Sequence, residues 1–399
     1  MAKELIDDLP AGFRAGAAAA GFKKPGRDDL GLIFSDFPCE LAAMFTRNLF
    51  RAAPVRIDQA ILESGKPVRA IVANSGQANS CTGEQGLRNC REIQRQAAGL
   101  LGILPDEVLL LSTGVIGAQF DMGKWDAALP EAAASLGSRS AEGFTRAFMT
   151  TDAFPKFVAR TLEMRQGRIR LAVMAKGAGM ICPNMATMLC VVLTDARLDR
   201  ADWQRMFDDC VDLTFNRVTV DGDTSTNDTI LGLANGASGI DIKSGADWEK
   251  MRSALLESLG AVSRMLVRDG EGAKRVIHIK VAGAKNEREA EIVARAVGNS
   301  QLVKTAIYGG DANWGRIINA VGYSGAEADP AEVSLSLCGI ELFREGQPLD
   351  CDPEAQLDEK MQADTIEIDL GLGHGPGRYE LWASDLGHEY VSLNADYRS

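Results

Sequence analysis

The chain has 399 residues, of which 46% are hydrophobic and 25% are charged, a composition typical of a folded globular protein. Its formal net charge of −12 argues against nucleic acid or an anionic membrane as a partner. No apolar run reaches the roughly 18–20 residues that a transmembrane helix needs, and the opening MAKELIDDLPAGF lacks the apolar segment of a signal peptide. We therefore expect a cytoplasmic protein that binds neither nucleic acid nor membranes.

The first half of the sequence predicts alternating strands and helices. Apolar runs that end in glycine-rich turns predict strands, and helical spacing of apolar residues predicts helices. The expected strands are 68–76, 108–117, 168–180 and 187–196, and the expected helices are 83–102 and 202–215. A bend rich in Gly, Pro and Asn separates the last two strands.

The second half predicts a helix at 248–267, a strand at 275–283, a helix at 287–297, a strand at 302–310 and a β-rich C-terminal part. Alternation in strand 275–283 places His278 outward, so we interpret it as a solvated residue rather than a ligand. We place the best domain boundary near 275–285. The fold class is α/β or α+β, with layered sheets flanked by helices and a smaller C-terminal α+β part.

The sequence has few residues that could support histidine-dependent catalysis or a metal site. The three histidines are scattered, and the eight cysteines form no CxxC pair, which favours reduced thiols over a zinc site or a disulfide framework. The segment DGDTSTND, beginning at Asp221, imitates a calcium loop, but position 12 of such a loop would be Gly232 instead of Glu. We predict a structural turn there and no metal.

The stretch KGAGMICPNMATML raises another possibility for nucleophilic chemistry. A threonine hydroxyl needs a base within reach, and a threonine at a new N-terminus has one in its own α-amine. An α-amine has a reference pKa of about 7.7–8.0, a suitable range for a general base. Thr187 is thus a candidate nucleophile. The alternative from these residues alone is a β-branched residue that opens a core strand.

Several motifs, read together, favour the nucleophile. KGAGMICPNMATML occurs with STGVIG, FMTTDAFPK, FNRVTVDGDTSTNDT, LVRDGEGAK and YVSLNADYRS. In this order they resemble the ornithine acetyltransferase (glutamate N-acetyltransferase) family of arginine biosynthesis, from about PAGFRAG to the last residue. The resemblance implies a self-cleaving threonine-nucleophile fold similar to the N-terminal-nucleophile hydrolases.

The resemblance also implies how the chain would be processed. The break would fall between Ala186 and Thr187, giving an alpha chain (1–186) and a beta chain (187–399). The beta chain would consist of a core, 187–280, and a smaller part, 281–399. Two alpha and two beta chains would form a heterotetramer.

The same resemblance implies the site residues. Thr187 would be nucleophile, acetyl carrier and, through its α-amine, base, while Thr113 and Gly114 of STG would form the oxyanion hole. The substrate-binding positions would be Thr150, Lys176, Thr187, Glu271, Asn394 and Ser399. Ser399 departs from the family's usual terminal Thr. The alternatives without a functional role are a strand-end turn at STG, a strand-end Lys176 with its ammonium in water, and a solvated turn carboxylate at Glu271.

The expected reaction moves an acetyl group from N-acetylornithine to glutamate through acetyl-Thr187, giving ornithine and N-acetylglutamate. No metal or organic cofactor is expected. No CoA-binding signature is legible, so the sequence leaves open whether acetyl-CoA is a second acetyl donor. The alternatives are a self-processed aminopeptidase or amidase of similar fold, and a scaffold protein without activity.

Overall fold

The computed structural model describes residues 9–23, 26–182, 188–349 and 357–396. Helices flank two β-sheets, which confirms the layered α/β class. The strands are β1 (Phe13–Ala18), β2 (Leu30–Phe45), β3 (Val68–Gln77), β4 (Val108–Val115), β5 (Lys156–Met164), β6 (Gly167–Lys176), β7 (Leu189–Thr194), β8 (Val218–Thr219), β9 (Thr229–Ala234), β10 (Val276–Ala284), β11 (Ser334–Leu337), β12 (Ile340–Arg344), β13 (Gln347–Pro348), β14 (Thr365–Gly371) and β15 (Gly377–Ser384).

The helices are α1 (Ala53–Ser64), α2 (Gly83–Leu101), α3 (Met122–Ala134), α4 (Ala141–Phe148), α5 (Arg200–Asp212), α6 (Ala246–Arg268), α7 (Glu287–Gly298), α8 (Gln301–Gly309), α9 (Trp314–Tyr323) and α10 (His388–Asp396). Across the described parts of the chain, these helices are all too short or too polar to span a bilayer.

The first sheet has the order β4-β3-β2-β9-β7-β6-β5, with β1 also paired to β2. The long β2 pairs with β1 and β3 through its first half and with β9 through its second. Apolar side chains of β3 and β4 share one core cluster with those of β7 and β9, so the two halves of the sheet face each other. Helices α2 and α3 cover one outer face, and α5 and α6 cover the other. The result is four layers, helix–sheet–sheet–helix.

Strand β7 follows the predicted nucleophile and is buried on both faces. Cys190 and Val192 pack toward α5 and α6, whereas Val191 and Leu193 pack into the core between the half-sheets. A strand buried on both faces is apolar without interruption, which explains the run LCVVL. Ala186 and Thr187 themselves lie outside the described residues.

The second sheet has the order β13-β12-β11-β14-β10-β15-β8. Helices α7, α8 and α9 contribute apolar side chains to its core. Its edge strand β8 lies in the chain between β7 and β9, which belong to the first sheet. It pairs parallel with β15, with Val218 opposite Trp382. The domain boundary near 275–285 stays a prediction, although all strands of this sheet other than β8 begin at β10 or later.

One prediction for the second half is wrong. The stretch 302–310 is helix α8, not a strand: Ser300 caps it by accepting the Val303 N–H, and the buried Val303, Ala306 and Ile307 have helical spacing. Short apolar runs fit both periods, and here the cap decides. The C-terminal part is β-rich, as predicted, with strands β11 to β15 before the final helix α10.

The prediction that His278 is solvated is also wrong. His278 faces Trp382 across the β10–β15 pair, and their rings stack at 3.7 Å. Its Nε2 lies 3.0 Å from Glu380, and the residue is buried. A large cross-strand neighbour covers the face that alternation assigns to solvent.

Candidate active site

One cavity collects all the described residues that the sequence predicts for the site. It lies at the ends of β4 and β6, beside the segment that precedes β9 and the turns at 150–151 and 271. Its lining includes Thr113, Gly114, Thr150, Lys176, Glu271 and Asn394. Thr187, Ala186 and Ser399 lie outside the described residues.

The STG segment forms the end of β4, against the end of β3. Gly76 and Gly114 face each other in this parallel pair. Gly114 has φ 128°, and a Cβ placed on it would lie 2.3 Å from the carbonyl carbon of Gly76. Only glycine fits this conformation and this approach, so the turn holds Thr113 in a fixed position at the cavity.

Lys176 ends β6 and carries a buried positive charge. Its side chain is 4% exposed, which excludes a lysine that keeps its ammonium in water. The ammonium donates to Thr113 Oγ1 at 3.2 Å and to Thr150 Oγ1 at 2.9 Å. An ammonium is a donor only, so both hydroxyl oxygens accept and keep their own hydrogens free to donate. These hydroxyls can therefore stabilise negative charge in the cavity.

Asp152 balances the charge of Lys176. Burial acts to raise the pKa of Asp152 and to lower that of Lys176, but the positive charges of Lys176 and Lys156 bring the pKa of Asp152 down to about 2. Asp152 accepts from the N–H groups of Thr150 at 2.9 Å and Gly177 at 2.6 Å. One carboxylate thus fixes the segments that carry Thr150 and Lys176.

Buried ion pairs of Lys156 extend this network to α6. Lys156 Nζ donates to Asp152 Oδ1 at 2.7 Å and to Asp269 Oδ2 at 2.6 Å. Asp269 is the C-terminal cap of α6, and it also accepts the Ala153 N–H at 3.0 Å. Since Glu271 follows two residues later, the pair also positions the turn that bears Glu271.

Glu271 enters the cavity beside Gly179. A Cβ on Gly179 would lie 2.6 Å from the Glu271 carboxylate, so glycine makes room for it. The amide of Asn394, on α10, donates to Glu271 Oε2 at 2.7 Å. The described end of the C-terminal helix is therefore part of the cavity wall.

The segment DGDTSTND acts as a scaffold for the neighbouring loop. Asp221 accepts the N–H groups of Met180 at 2.6 Å and Ile181 at 2.9 Å, and Met180 has φ 55°. Tyr390 of α10 donates its hydroxyl to Asp221 at 3.3 Å. With these partners, the Asp221 carboxylate serves a structural turn, as the sequence predicts.

Asn227 and Asp228 connect the site strands. The Asn227 amide donates to Ala78 O at 2.7 Å and to Ser112 O at 2.8 Å, and so holds the ends of β3 and β4 against the start of β9. Asp228 accepts the Met188 N–H at 2.9 Å, just before β7. Burial raises the pKa of Asp228 well above its ordinary value.

A larger depression, of about 630 Å³, lies along α1 beside Leu49 and Phe50. The ionisable side chains in its wall, Arg51, Arg56 and Glu63, are exposed. Perturbed, partnered ionisable groups mark the smaller cavity instead, so we take that one as the candidate active site.

Comparison with known proteins shows the family of the chain. The profile of the ArgJ family matches residues 14–399. The chain belongs to the ArgJ family. It is 55% identical over 390 residues to the arginine biosynthesis bifunctional protein ArgJ of Nitratidesulfovibrio vulgaris, covering 98% of this chain and 99% of that protein. The ArgJ protein of Geobacter sulfurreducens is 44% identical over 390 residues, covering 97% and 99%.

An ornithine acetyltransferase from Mycobacterium tuberculosis, crystallised with ornithine, is 35% identical. That match covers 45% of this chain and 96% of the other, with a TM-score of 0.41. Membership of the ArgJ family confirms the resemblance that the motifs carry.

Several polar residues that organise this site do not stand out in the sequence alone. They are Asp152, Lys156, Asn227, Asp228 and Asp269. Two signals were available: Asp152 and Lys156 lie within FMTTDAFPK, and Asn227 and Asp228 end DGDTSTND. Their roles depend on partners 25 to 149 positions away, as in Asp152–Gly177 and Asn227–Ala78.

We predict that Asp152→Asn lowers the free energy of unfolding by about 3 kcal/mol at pH 7, because the buried Lys156 and Lys176 lose a neighbouring negative charge. The folded pKa of about 2 lies below the reference of about 3.9. The Asp152 contribution is therefore present above about pH 4 and is lost as pH falls toward 2. Urea unfolding of both proteins at pH 7 and pH 3 measures this.

Asp106→Asn is the matched control, because Asp106 forms an exposed ion pair with Lys66. Exposed pairs contribute under about 1 kcal/mol. Equal losses for the two substitutions would contradict the assigned importance of Asp152.

Proposed function

We propose that the protein transfers an acetyl group from N-acetylornithine to glutamate through an acetyl-Thr187 intermediate. One observation carries the proposal: in a chain of the ArgJ family, a single cavity collects Thr113, Gly114, Thr150, Lys176, Glu271 and Asn394. These side chains include hydroxyl donors, a cation and an anion, as an acyl transfer between two amino acids requires.

In the first half-reaction, the Thr187 hydroxyl attacks the acetyl carbonyl of N-acetylornithine. The α-amine of Thr187 takes the hydroxyl proton and passes it to the leaving nitrogen of ornithine. The C–N bond breaks, and an acetyl ester forms on Thr187. The Thr113 hydroxyl and the Gly114 N–H stabilise the tetrahedral oxyanion.

In the second half-reaction, the amine of glutamate attacks the ester carbonyl. The Thr187 oxygen leaves, regains a proton and is ready for another cycle, and N-acetylglutamate departs. Lys176 attracts the carboxylate that both amino acids carry, and Glu271 attracts the side-chain ammonium that only ornithine carries.

Maturation uses the same hydroxyl, before the α-amine is free. The Thr187 hydroxyl attacks the Ala186 carbonyl carbon, the Ala186–Thr187 C–N bond breaks as the nitrogen takes a proton, and water hydrolyses the resulting ester. The products are an alpha chain, 1–186, and a beta chain, 187–399, whose new N-terminus is the catalytic base. We propose that two of each form a cytoplasmic heterotetramer.

We extend the proposal to a second donor, acetyl-CoA. Relatives that are 55% and 44% identical are named bifunctional proteins of arginine biosynthesis. Incubating the enzyme with glutamate and acetyl-CoA, without N-acetylornithine, tests this: N-acetylglutamate should form. No product would restrict the enzyme to N-acetylornithine.

Purified protein should run as two fragments on a denaturing gel, and the second should begin TMLCVVL on N-terminal sequencing. Thr187→Ala should remain one full-length chain, because it lacks the attacking hydroxyl. Thr187→Ser, which keeps a hydroxyl, is the matched control and should still be cleaved. A fully cleaved alanine variant would rule out autocatalysis at Thr187.

Thr113→Ala should lower turnover by about 10²–10³-fold with a smaller change in apparent KM, because the donor acts on developing charge. Thr113→Ser keeps the hydroxyl and should retain most of the turnover. Steady-state kinetics of cleaved proteins measure both. Unchanged turnover in the alanine variant would reassign STG to a purely structural turn.

Mixing the enzyme with N-acetylornithine alone should leave one acetyl group on the 187–399 fragment, and peptide mass mapping should locate it on Thr187. Glutamate should remove it much faster than buffer does, since a shaped site positions the attacking amine. If acetyl-Thr187 hydrolyses equally fast without glutamate, the protein is an amidase instead of a transferase.

Glu271→Gln should weaken the ornithine half-reaction more than the glutamate half-reaction, because it removes the anion but keeps the size. Glu257→Gln, at an exposed pair with Arg160, is the control and should change neither. Rapid-mixing measurements of acetylation and deacetylation separate the two steps. Equal losses in both would show that Glu271 does not distinguish the substrates.

A further inference from the structure

The α1 depression is the cavity of about 630 Å³ that is bounded by helix α1, the loop 49–51 and residues 81–83. It shares a wall with the candidate active-site cavity. Ala78 lines the active-site cavity, whereas Cys81, three residues later, lines the α1 depression. Their Cα atoms are therefore no more than about 11 Å apart. One extended ligand can occupy the α1 depression and still reach the active-site cavity.

Two large apolar side chains project from the loop that leads into α1. Leu49 is 95% exposed and Phe50 is 70% exposed. Hydrogen bonds hold this loop: the Phe50 N–H donates to Asn48 Oδ1 at 2.9 Å, and the Ala52 N–H donates to the carbonyl of Thr226 at 2.9 Å. Thr226 itself lines the active-site cavity. Apolar side chains that are fixed in an exposed position indicate a binding surface.

Two arginines of the α1 depression have charges that the protein does not neutralise. Within the parts of the chain that the structure describes, the guanidinium groups of Arg51 and Arg56 have no hydrogen-bond or ion-pair partner. Glu63 also lines the depression, but it lies seven residues after Arg56 on α1, about 10 Å along the helix axis. The end beside Phe50 is therefore positive, in a chain with a formal net charge of −12. Guanidinium groups are well suited to bind phosphate oxygens.

We propose that the α1 depression binds the phosphorylated nucleotide end of acetyl-CoA, with Arg51 and Arg56 on the phosphates and Phe50 against the adenine ring. This inference rests on the proposed function, in which acetyl-CoA is a second acetyl donor. A volume of about 630 Å³ suits a nucleotide, and an exposed aromatic ring offers a face on which a base can stack.

The shape of the donor requires two binding places. In acetyl-CoA a flexible arm separates the thioester from the nucleotide phosphates, so the thioester can enter the active-site cavity while the nucleotide stays outside. There the nucleophilic hydroxyl attacks the thioester carbonyl carbon, and the C–S bond breaks. The acetyl group forms an ester with the enzyme, and CoA leaves as the thiol with the hydroxyl proton.

The double variant Arg51→Glu/Arg56→Glu tests the assignment by comparing donors on one protein. The KM for acetyl-CoA should rise at least about tenfold, because charge-assisted phosphate contacts are lost. The KM for N-acetylornithine, which has no phosphate, should change less than about twofold. S-acetylpantetheine has the thioester arm without the nucleotide, so wild type and variant should use it with equal kcat/KM.

Binding is also measured without turnover, by calorimetric titration with adenosine 3′,5′-bisphosphate. This probe should bind the wild type and compete with acetyl-CoA but not with N-acetylornithine. Phe50→Ala should weaken its binding about tenfold through lost stacking. Arg378→Glu is the matched control, because Arg378 is exposed on β15 of the second sheet and the substitution changes the net charge of the chain equally per site. It should change neither KM nor the binding of the probe.

Three results would overturn the inference: an unchanged KM for acetyl-CoA in the double variant, an equal rise in KM for both donors, or competition by inorganic phosphate as strong as that by the bisphosphate. If the glutamate variant does not fold, Arg51→Gln/Arg56→Gln repeats the measurement with the same criteria.

The wild type is assayed first with both donors. No transfer from either donor rejects the proposed function. Transfer from N-acetylornithine alone rejects the second donor and the nucleotide site with it. Transfer from both donors, with KM values that the arginine substitutions leave unchanged, rejects only the role of the α1 depression.

Discussion

The buried ammonium of Lys176 is the constraint on which the rest of the site depends. A cation removed from water is tolerated only when it is paired and hydrogen-bonded. Asp152 supplies the opposite charge, and the hydroxyls of Thr113 and Thr150 accept from the ammonium. Asp152 in turn shares Lys156 with Asp269. Satisfying one charge therefore fixes β4, β5, β6 and the end of α6 together.

The four-layer core makes this arrangement rigid. Strand β7 is buried on both faces, so a shift of one residue would turn its side chains into the wrong layer. Asn227 adds a polar link between the half-sheets, because its amide binds the carbonyls of Ala78 and Ser112. Met188, whose N–H binds Asp228, is thus held in register with Thr113 of the STG segment, although they are 75 positions apart.

The sequence predicts those elements whose pattern is local. Helix 83–102 and strand 68–76 follow periodicity, and the structure has both with ends shifted by one residue. Prediction from the sequence fails where a contact with another residue determines the structure: Ser300 caps α8, and Trp382 covers His278. The motifs marked Thr113, Lys176 and Glu271, but their common cavity depends on Asp152 and Asn227. The effect of a buried charge depends on residues that no local window contains.

The roles proposed for Lys176 and Glu271 account for a cavity that combines a fixed cation with a less constrained anion. Both substrates carry a carboxylate, so a cation that binds it can be locked by buried partners without favouring either one. Their side chains have opposite charge, and a rigid anion would repel glutamate. Glu271 is only partly buried, and its side chain is held by the neutral amide of Asn394 on an exposed helix. In the proposed role, a neutral partner leaves the Glu271 charge available to ornithine, and the high dielectric of the partly exposed rim weakens its repulsion of glutamate.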